Sequence, residues 1–291
     1  MQGQAGWVAD GAFGLTFRDN VGSVPVTDPL AWANRRIDLP DGHWCVSGIR
    51  FRGLDPTKPF IDVVVTSLPP QADALARLSA VIVPQYSEFA PRALRVDAPA
   101  PDELVAAAVA DPRFAHAAVD QYVVAGLVAD LRTRPHVAGY ERVHVHAAPV
   151  DAARQATVRL YAQAETERPA LAQWATPSTA DDLRQCADES LLFEVTVDGR
   201  PAGVVAARRD DDHGMSGFVV QEIVLDDAHR GHRLAPAVLQ RLVAELPAGP
   251  GDTLWGTIHP DNHPSLRNAR SIGREIVGGY VWLTPQGLTG L

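Results

Sequence analysis

From Leu191 onward the chain is punctuated in a way that leaves few folds open to it. LLFEVTVDG reads as a strand running into Asp198-Gly199, a pair suited to a two-residue hairpin turn, and RPAGVVAARRD reads as the returning strand. After the polar break DDDHGMSG comes FVVQEIVLDD, a strand with too little alternation for a sheet edge. A turn, AHRGH, then opens LAPAVLQRLVAELP, where Leu234, Val238, Leu239, Leu242 and Val243 fall on one helical face. TLWGTIHP is a further strand, HPSLRNARSIG a short helix closed by Gly273, and EIVGGYVWLTP a last strand. Upstream, RVHVHAAP reads as a strand and DAARQATVRLYAQAETERP as a helix, so the order is β α (α) β β β α β α β. Strands and helices mixed in this way make the half an α/β domain.

The first half shows the same order with weaker punctuation: strand PFIDVVVTSLPP, a helix within QADALARLSAVIVPQYSEF, strand ALRVDAPAP, helix DELVAAAVADP, then a strand in FAHAAVDQYVVAGL. Phe60 to Leu94 spans 34 residues where Phe218 to Leu254 spans 36, and Leu94 to Tyr122 spans 28 where Leu254 to Tyr280 spans 26. A duplication explains this spacing, as do two ordinary α/β layouts side by side. At 291 residues the chain is long for one domain and comfortable for two. LRTRPHVAGY, with Pro135 and Gly139, suits a linker, which gives an accessory or degenerate domain over residues 1–135 and a second domain over 140–291.

Composition narrows the partners. A net charge of -9 speaks against nucleic acid, whose binding needs clustered positive charge, and mildly favours a cationic partner. No stretch approaches the ~18 apolar residues of a membrane span, and MQGQAGWVADGAFG lacks the basic flank and apolar run of a secretory signal, so a cytoplasmic protein without membrane contact is expected. Cys45 and Cys186 stand far apart with no partner at metal-ligand spacing, so neither a zinc site nor a disulfide framework is expected.

The segment VLDDAHRGHRLAPAVL, residues 224–239, joins a buried strand to an amphipathic helix. Backbone N–H groups on such a turn, followed by a helix N-terminus, make a cradle for a pyrophosphate. Gly231 permits positive φ at the turn, and Arg230 and Arg233 add positive charge in an acidic chain. Strand, Arg230-Gly231-x-x-x-Ala235, helix, strand, then Asn262-x-x-Ser265 on a short helix ending at Gly273, resembles the GNAT superfamily of N-acetyltransferases over about residues 191–283 and, more loosely, back to Tyr140. The family pattern Arg/Gln-x-x-Gly-x-Gly/Ala here reads Arg230-x-x-Arg233-x-Ala235, with arginine in place of the central glycine.

The resemblance implies a mixed, mostly antiparallel sheet flanked by helices, and two such domains in tandem if the first half is a degenerate copy. It implies acetyl-CoA as co-substrate with no metal, and direct transfer of acetyl to a primary amine on a small molecule or peptide. The CoA contacts it assigns are Val224, Leu225, Arg230, Gly231, His232, Arg233, Leu234, Ala235, Asn262 and Ser265. Arg230→Glu is then expected to weaken CoA binding by roughly 2 to 4 kcal/mol, and Arg233→Gly to leave it at least as tight. By the same match the Leu225 amide polarises the thioester carbonyl, Glu222 is the general base, and the usual tyrosine acid is replaced by Ala269. Ser265, His263 and Tyr280 are the nearby substitutes for that acid. Asn262 suits a helix N-cap as well as a pantetheine contact. The missing tyrosine and the arginine at 233 also suit a non-catalytic protein that binds or senses acyl-CoA, and a module that binds no CoA is the third reading. The first half is expected to bind none, since Pro69 and Pro70 delete two N–H groups where its cradle would need donors.

Overall fold

The computed structural model of the chain describes residues 6–169 and 175–291. Its contacts group into two compact units, Met1–Tyr122 with Val277–Leu291, and Val123–Ile276. Among the described residues, no helix is long and apolar enough to cross a membrane.

The first unit opens with helices Gly11–Val21 (α1) and Pro29–Trp32 (α2), then strands Arg35–Asp38 (β1), Trp44–Phe51 (β2) and Pro59–Thr66 (β3). Helix Ala72–Ile82 (α3), strand Leu94–Ala98 (β4), helix Pro101–Val109 (α4) and strand Phe114–Leu127 (β5) follow. Its sheet runs β1-β2-β3-β4 and is completed by the last strand of the chain, Glu275–Pro285 (β11), antiparallel to β4. Leu75, Leu78 and Ile82 of α3 pack on Ile61 and Val63, and Trp32, wholly buried, joins Phe51 and Phe89 in the same core.

The second unit comprises helix Val128–Thr133 (α5), strand Val143–Ala147 (β6), helices Val150–Glu167 (α6) and Ala180–Asp188 (α7), and strands Leu192–Val197 (β7), Arg200–Arg209 (β8) and Gly217–Leu225 (β9). Helix Ala235–Glu245 (α8), strand Thr253–Ile258 (β10) and helix His263–Ser271 (α9) complete it. The hairpin forms at Asp198 and Gly199, both with positive φ as a type I′ turn requires. The strand order is β5-β10-β9-β8-β7-β6, with β9 interior as its continuous apolar run implies. The apolar stripe of α8 covers one face, on Phe218, Leu225 and Leu254. On the other face Leu160 of α6 and Leu183 and Cys186 of α7 pack on Val204 and Val224. Adjacent residues Val224 and Leu225 serve opposite faces because strand side chains alternate.

Each unit carries the same local sequence of features. In β2–β3 the ladder passes from Val46↔Val65 to Ser47↔Val63, leaving Val64 unmatched; in β8–β9 it passes from Ala206↔Glu222 to Ala207↔Val220, leaving Gln221 unmatched. Each bulged strand is followed by a helix of 11 residues and then by a parallel strand paired over only three positions. In both units a bulge thus follows closely on the short parallel pairing.

The divisions lie elsewhere than the expected 135/140 boundary. Strand β5 begins in the first unit and ends in the second, and β11 returns the last strand to the first. The stretch that suited a linker is instead bound to α8: buried Gln240 accepts from the Val137 amide at 2.9 Å and donates to the Pro135 carbonyl at 2.9 Å.

Candidate active site

Strands β9 and β10 pair only where Gly217, Phe218 and Val219 meet Thr253, Leu254 and Trp255. Beyond that point they part, and the bulge at Gln221 lies where they begin to do so. Bulges increase local twist, which turns the end of β9 away from β10. The Asp226 amide donates to the Ala202 carbonyl at 2.8 Å, so the neighbouring pair Gly203↔Leu225 is the non-hydrogen-bonded kind. The N–H and C=O of Leu225 therefore face away from β8, into the opening.

The loop after β9 is wound tightly on Asp226, whose carbonyl accepts the amides of His229 (3.1 Å) and Arg230 (3.0 Å) and whose carboxylate meets the His229 ring. Gly231 has φ 78° and Arg233 φ 58°, so the arginine adopts the left-handed conformation natural to the glycine it replaces. Leu234, buried, precedes α8, which has Pro236 in its first turn and no acidic residue there. Among the described residues, the amides of Gly231, His232, Arg233, Leu234, Ala235 and Ala237 donate to no backbone carbonyl. Six donors around a helix N-terminus fit a pyrophosphate by both hydrogen bonding and dipole.

Arg230 does something other than face that anion. Its Nε donates to the Leu225 carbonyl at 2.7 Å, one terminal nitrogen pairs with Asp227, and the other donates to the Leu160 carbonyl of α6 at 3.1 Å. The guanidinium braces the end of β9 against a helix, and exposed Arg233 is the loop cation left for an anion. The sequence gives an arginine at position 230 but not the direction of a flexible side chain.

A cavity of about 800 Å³ lies between this loop, α6 and α9. Arg168, Arg230, Arg233 and Arg267 line it, and no carboxylate does among the described residues. Val224, Leu225, Gly231, Leu234, Ala235, Asn262 and Ser265 also line it, so most of the expected contacts are gathered in one place; His232, exposed, does not. Asn262 is the N-cap of α9, its side chain accepting the Ser265 amide at 3.3 Å. Asn268, which sequence reading missed, lines the cavity with a buried Oδ1 that has no partner among the described residues.

Glu222 is buried, and its position on the α6 face, opposite Leu225, follows from alternation. It accepts from the Tyr161 hydroxyl (3.0 Å), the Ser178 amide (3.1 Å) and the Ile223 amide (3.0 Å). Burial raises its pKa above the usual carboxylate range, against the hydrogen bonds that lower it. Burial, followed by the charge of Glu222, likewise raises the Tyr161 phenol. Ala269 is packed in the core, Tyr280 belongs to the first unit's sheet, and exposed His263 does not line the cavity, leaving Ser265 of the expected substitute acids.

By sequence, residues 150–273 match the Acetyltransferase (GNAT) family. No curated protein matches the chain. A solved acetyltransferase of the GNAT family from Colwellia psychrerythraea is 14% identical, with 95% of this chain and 96% of that one covered at a TM-score of 0.54. A GCN5-related N-acetyltransferase from Sphaerobacter thermophilus is 12% identical over 87% of this chain and 80% of its own, at 0.53. At such identities the likeness is one of fold.

Proposed function

With residues 150–273 a GNAT-family acetyltransferase domain, we propose that the second unit binds acetyl-CoA across the β9–β10 opening and passes its acetyl group directly to a primary amine. The observation that carries this reading is the set of unengaged amides at the head of α8, set beside Arg168, Arg233 and Arg267 in a wall that has no carboxylate among the described residues. Acetyl-CoA supplies the activated acyl group as a thioester. The amides of residues 231–235 hold the pyrophosphate, assisted by Arg233, while Val224 and Leu225 on one side and Asn262 and Ser265 on the other flank the pantetheine arm. The Leu225 amide polarises the reacting carbonyl, which would otherwise develop negative charge without a donor. Glu222 takes up the amine's proton, and Ser265 is the hydroxyl among the expected substitute acids that lines the cavity. Direct transfer is favoured because the second unit's cysteine, Cys186, is buried with its thiol pushed up to about 12, out of range for a nucleophile at neutral pH.

Burial of Ala269 at the usual acid position favours the alternative of a binding or sensing protein that does no chemistry. Thiol release from acetyl-CoA across a panel of small and peptide amines distinguishes the two. The transferase reading expects release that depends on the amine; tight acetyl-CoA binding without release from any amine contradicts it.

A further inference from the structure

Glu222 is poorly placed to meet a substrate. Its residue is 3% exposed, it does not line the cavity, and its carboxylate is enclosed by Tyr161, Ser178 and its own following amide. Tyr161, by contrast, lines the cavity on the same stripe of α6 as Ala164 and Arg168, residues three and seven further on. Its hydroxyl hydrogen is committed to Glu222, which leaves the phenolic oxygen with lone pairs free to accept.

We propose that Tyr161 is the catalytic residue that meets the acceptor amine and relays its proton to Glu222. This rests on the acetyl-transfer reading above and deepens it. As the amine nitrogen bonds to the thioester carbon, its proton moves to Tyr161 Oη while the Tyr161 proton moves to Glu222 Oε1. The C–S bond then breaks, its electron pair leaving on sulfur, and the proton on Glu222 returns through Tyr161 to the thiolate. Amine and thioester become amide and thiol, and the dyad ends as it began. One pair would thus do the work of both base and acid, in a domain whose usual acid position is alanine. The raised phenol and carboxyl suit these roles: the tyrosine keeps its proton except in passing, and the carboxylate is more basic than one in water. The other charged group acting on Tyr161 is Arg230, and the titratable side chain in the adjoining core is Cys186.

The test is thiol release by the full chain as wild type, Tyr161→Phe, Glu222→Gln and the double variant, over a range of pH, with CoA affinity as the check on folding. Each single variant is expected to lose ~100-fold in kcat, with CoA affinity within about threefold, and the double variant to be no slower than the slower single. Both singles should also lose the same acidic limb of the pH profile. If Tyr161→Phe keeps the wild-type rate and profile while Glu222→Gln is crippled, the glutamate works without the tyrosine and the relay is wrong. Independent, multiplying losses, or a phenylalanine effect confined to KM, overturn it as well. Absence of amine-dependent release in the wild type defeats the underlying transferase reading instead.

Discussion

At the scale of single residues, the two arginines of the loop divide the labour that sequence alone assigns to both. Arg230 satisfies two backbone carbonyls and a carboxylate inside the fold, so Arg230→Met should cost about 2 kcal/mol or more through the acceptors it strands. Its melting temperature should fall clearly. Arg233→Gly should leave stability nearly unchanged, because relief of a left-handed arginine, about 1 kcal/mol, is offset by glycine's entropy, about 0.5–1 kcal/mol. It should nevertheless bind CoA several-fold more weakly by calorimetry, reversing the expectation from the motif, since it removes the exposed loop cation of the proposed anion site. A carboxyl raised by burial, as in Glu222, favours the protonated fold, so its contribution to stability is fullest below its unfolded pKa and is lost as pH climbs toward the folded value. The difference in melting temperature, wild type minus Glu222→Gln, should therefore shrink from acid toward neutral pH; a constant difference would show an unperturbed carboxyl.

Among the elements, the end of β9 is the part on which the site depends, and Gly203 sets it. A Cβ at Gly203 would lie 2.0 Å from the Val224 carbonyl oxygen and 3.0 Å from Leu225 Cα, so β8 can approach β9 this closely only with glycine there. Gly203→Ala should cost about 1 to 3 kcal/mol and slow transfer by displacing the Leu225 amide, read by thermal unfolding and thiol release. Turn residues and apolar runs made the second unit's strands and helices legible, since Asp198-Gly199 and Gly231 fix turns whatever surrounds them. The turn between β9 and α8 was legible for the same reason, as backbone geometry follows local residue type. The Tyr161–Glu222 pair was not, because its members lie 61 residues apart and a tyrosine on an amphipathic helix reads as core. Helices α1 and α2 and strands β1 and β2 went unread, although Asp10 caps α1 and Asp28 with Pro29 opens α2. The exchange of β5 and β11 was invisible too, since a strand's apolar pattern shows that it is buried without naming its neighbour.

Over the whole molecule, two units repeat one bulged strand, one helix and one parallel partner, yet the turns ahead of the two helices differ in what they offer an anion. Ahead of α3 the first unit has Pro69 and Pro70, which lack N–H groups; the Gln71 amide is turned back on the Pro69 carbonyl at 2.8 Å, and Asp73 sits in the helix's first turn. Proline removes donors and the carboxylate repels a phosphate, where the second unit has unengaged amides and arginines. The residue after the bulge is Val65 in one unit and Glu222 in the other, so the proposed proton acceptor has no counterpart at that position. The measurement that bears most directly on this account is calorimetric titration of the full chain with acetyl-CoA, alongside Arg233→Glu. One equivalent per chain, bound at least tenfold more weakly by the variant, is the result expected. Two equivalents, none, or one that ignores the charge at position 233 would contradict it.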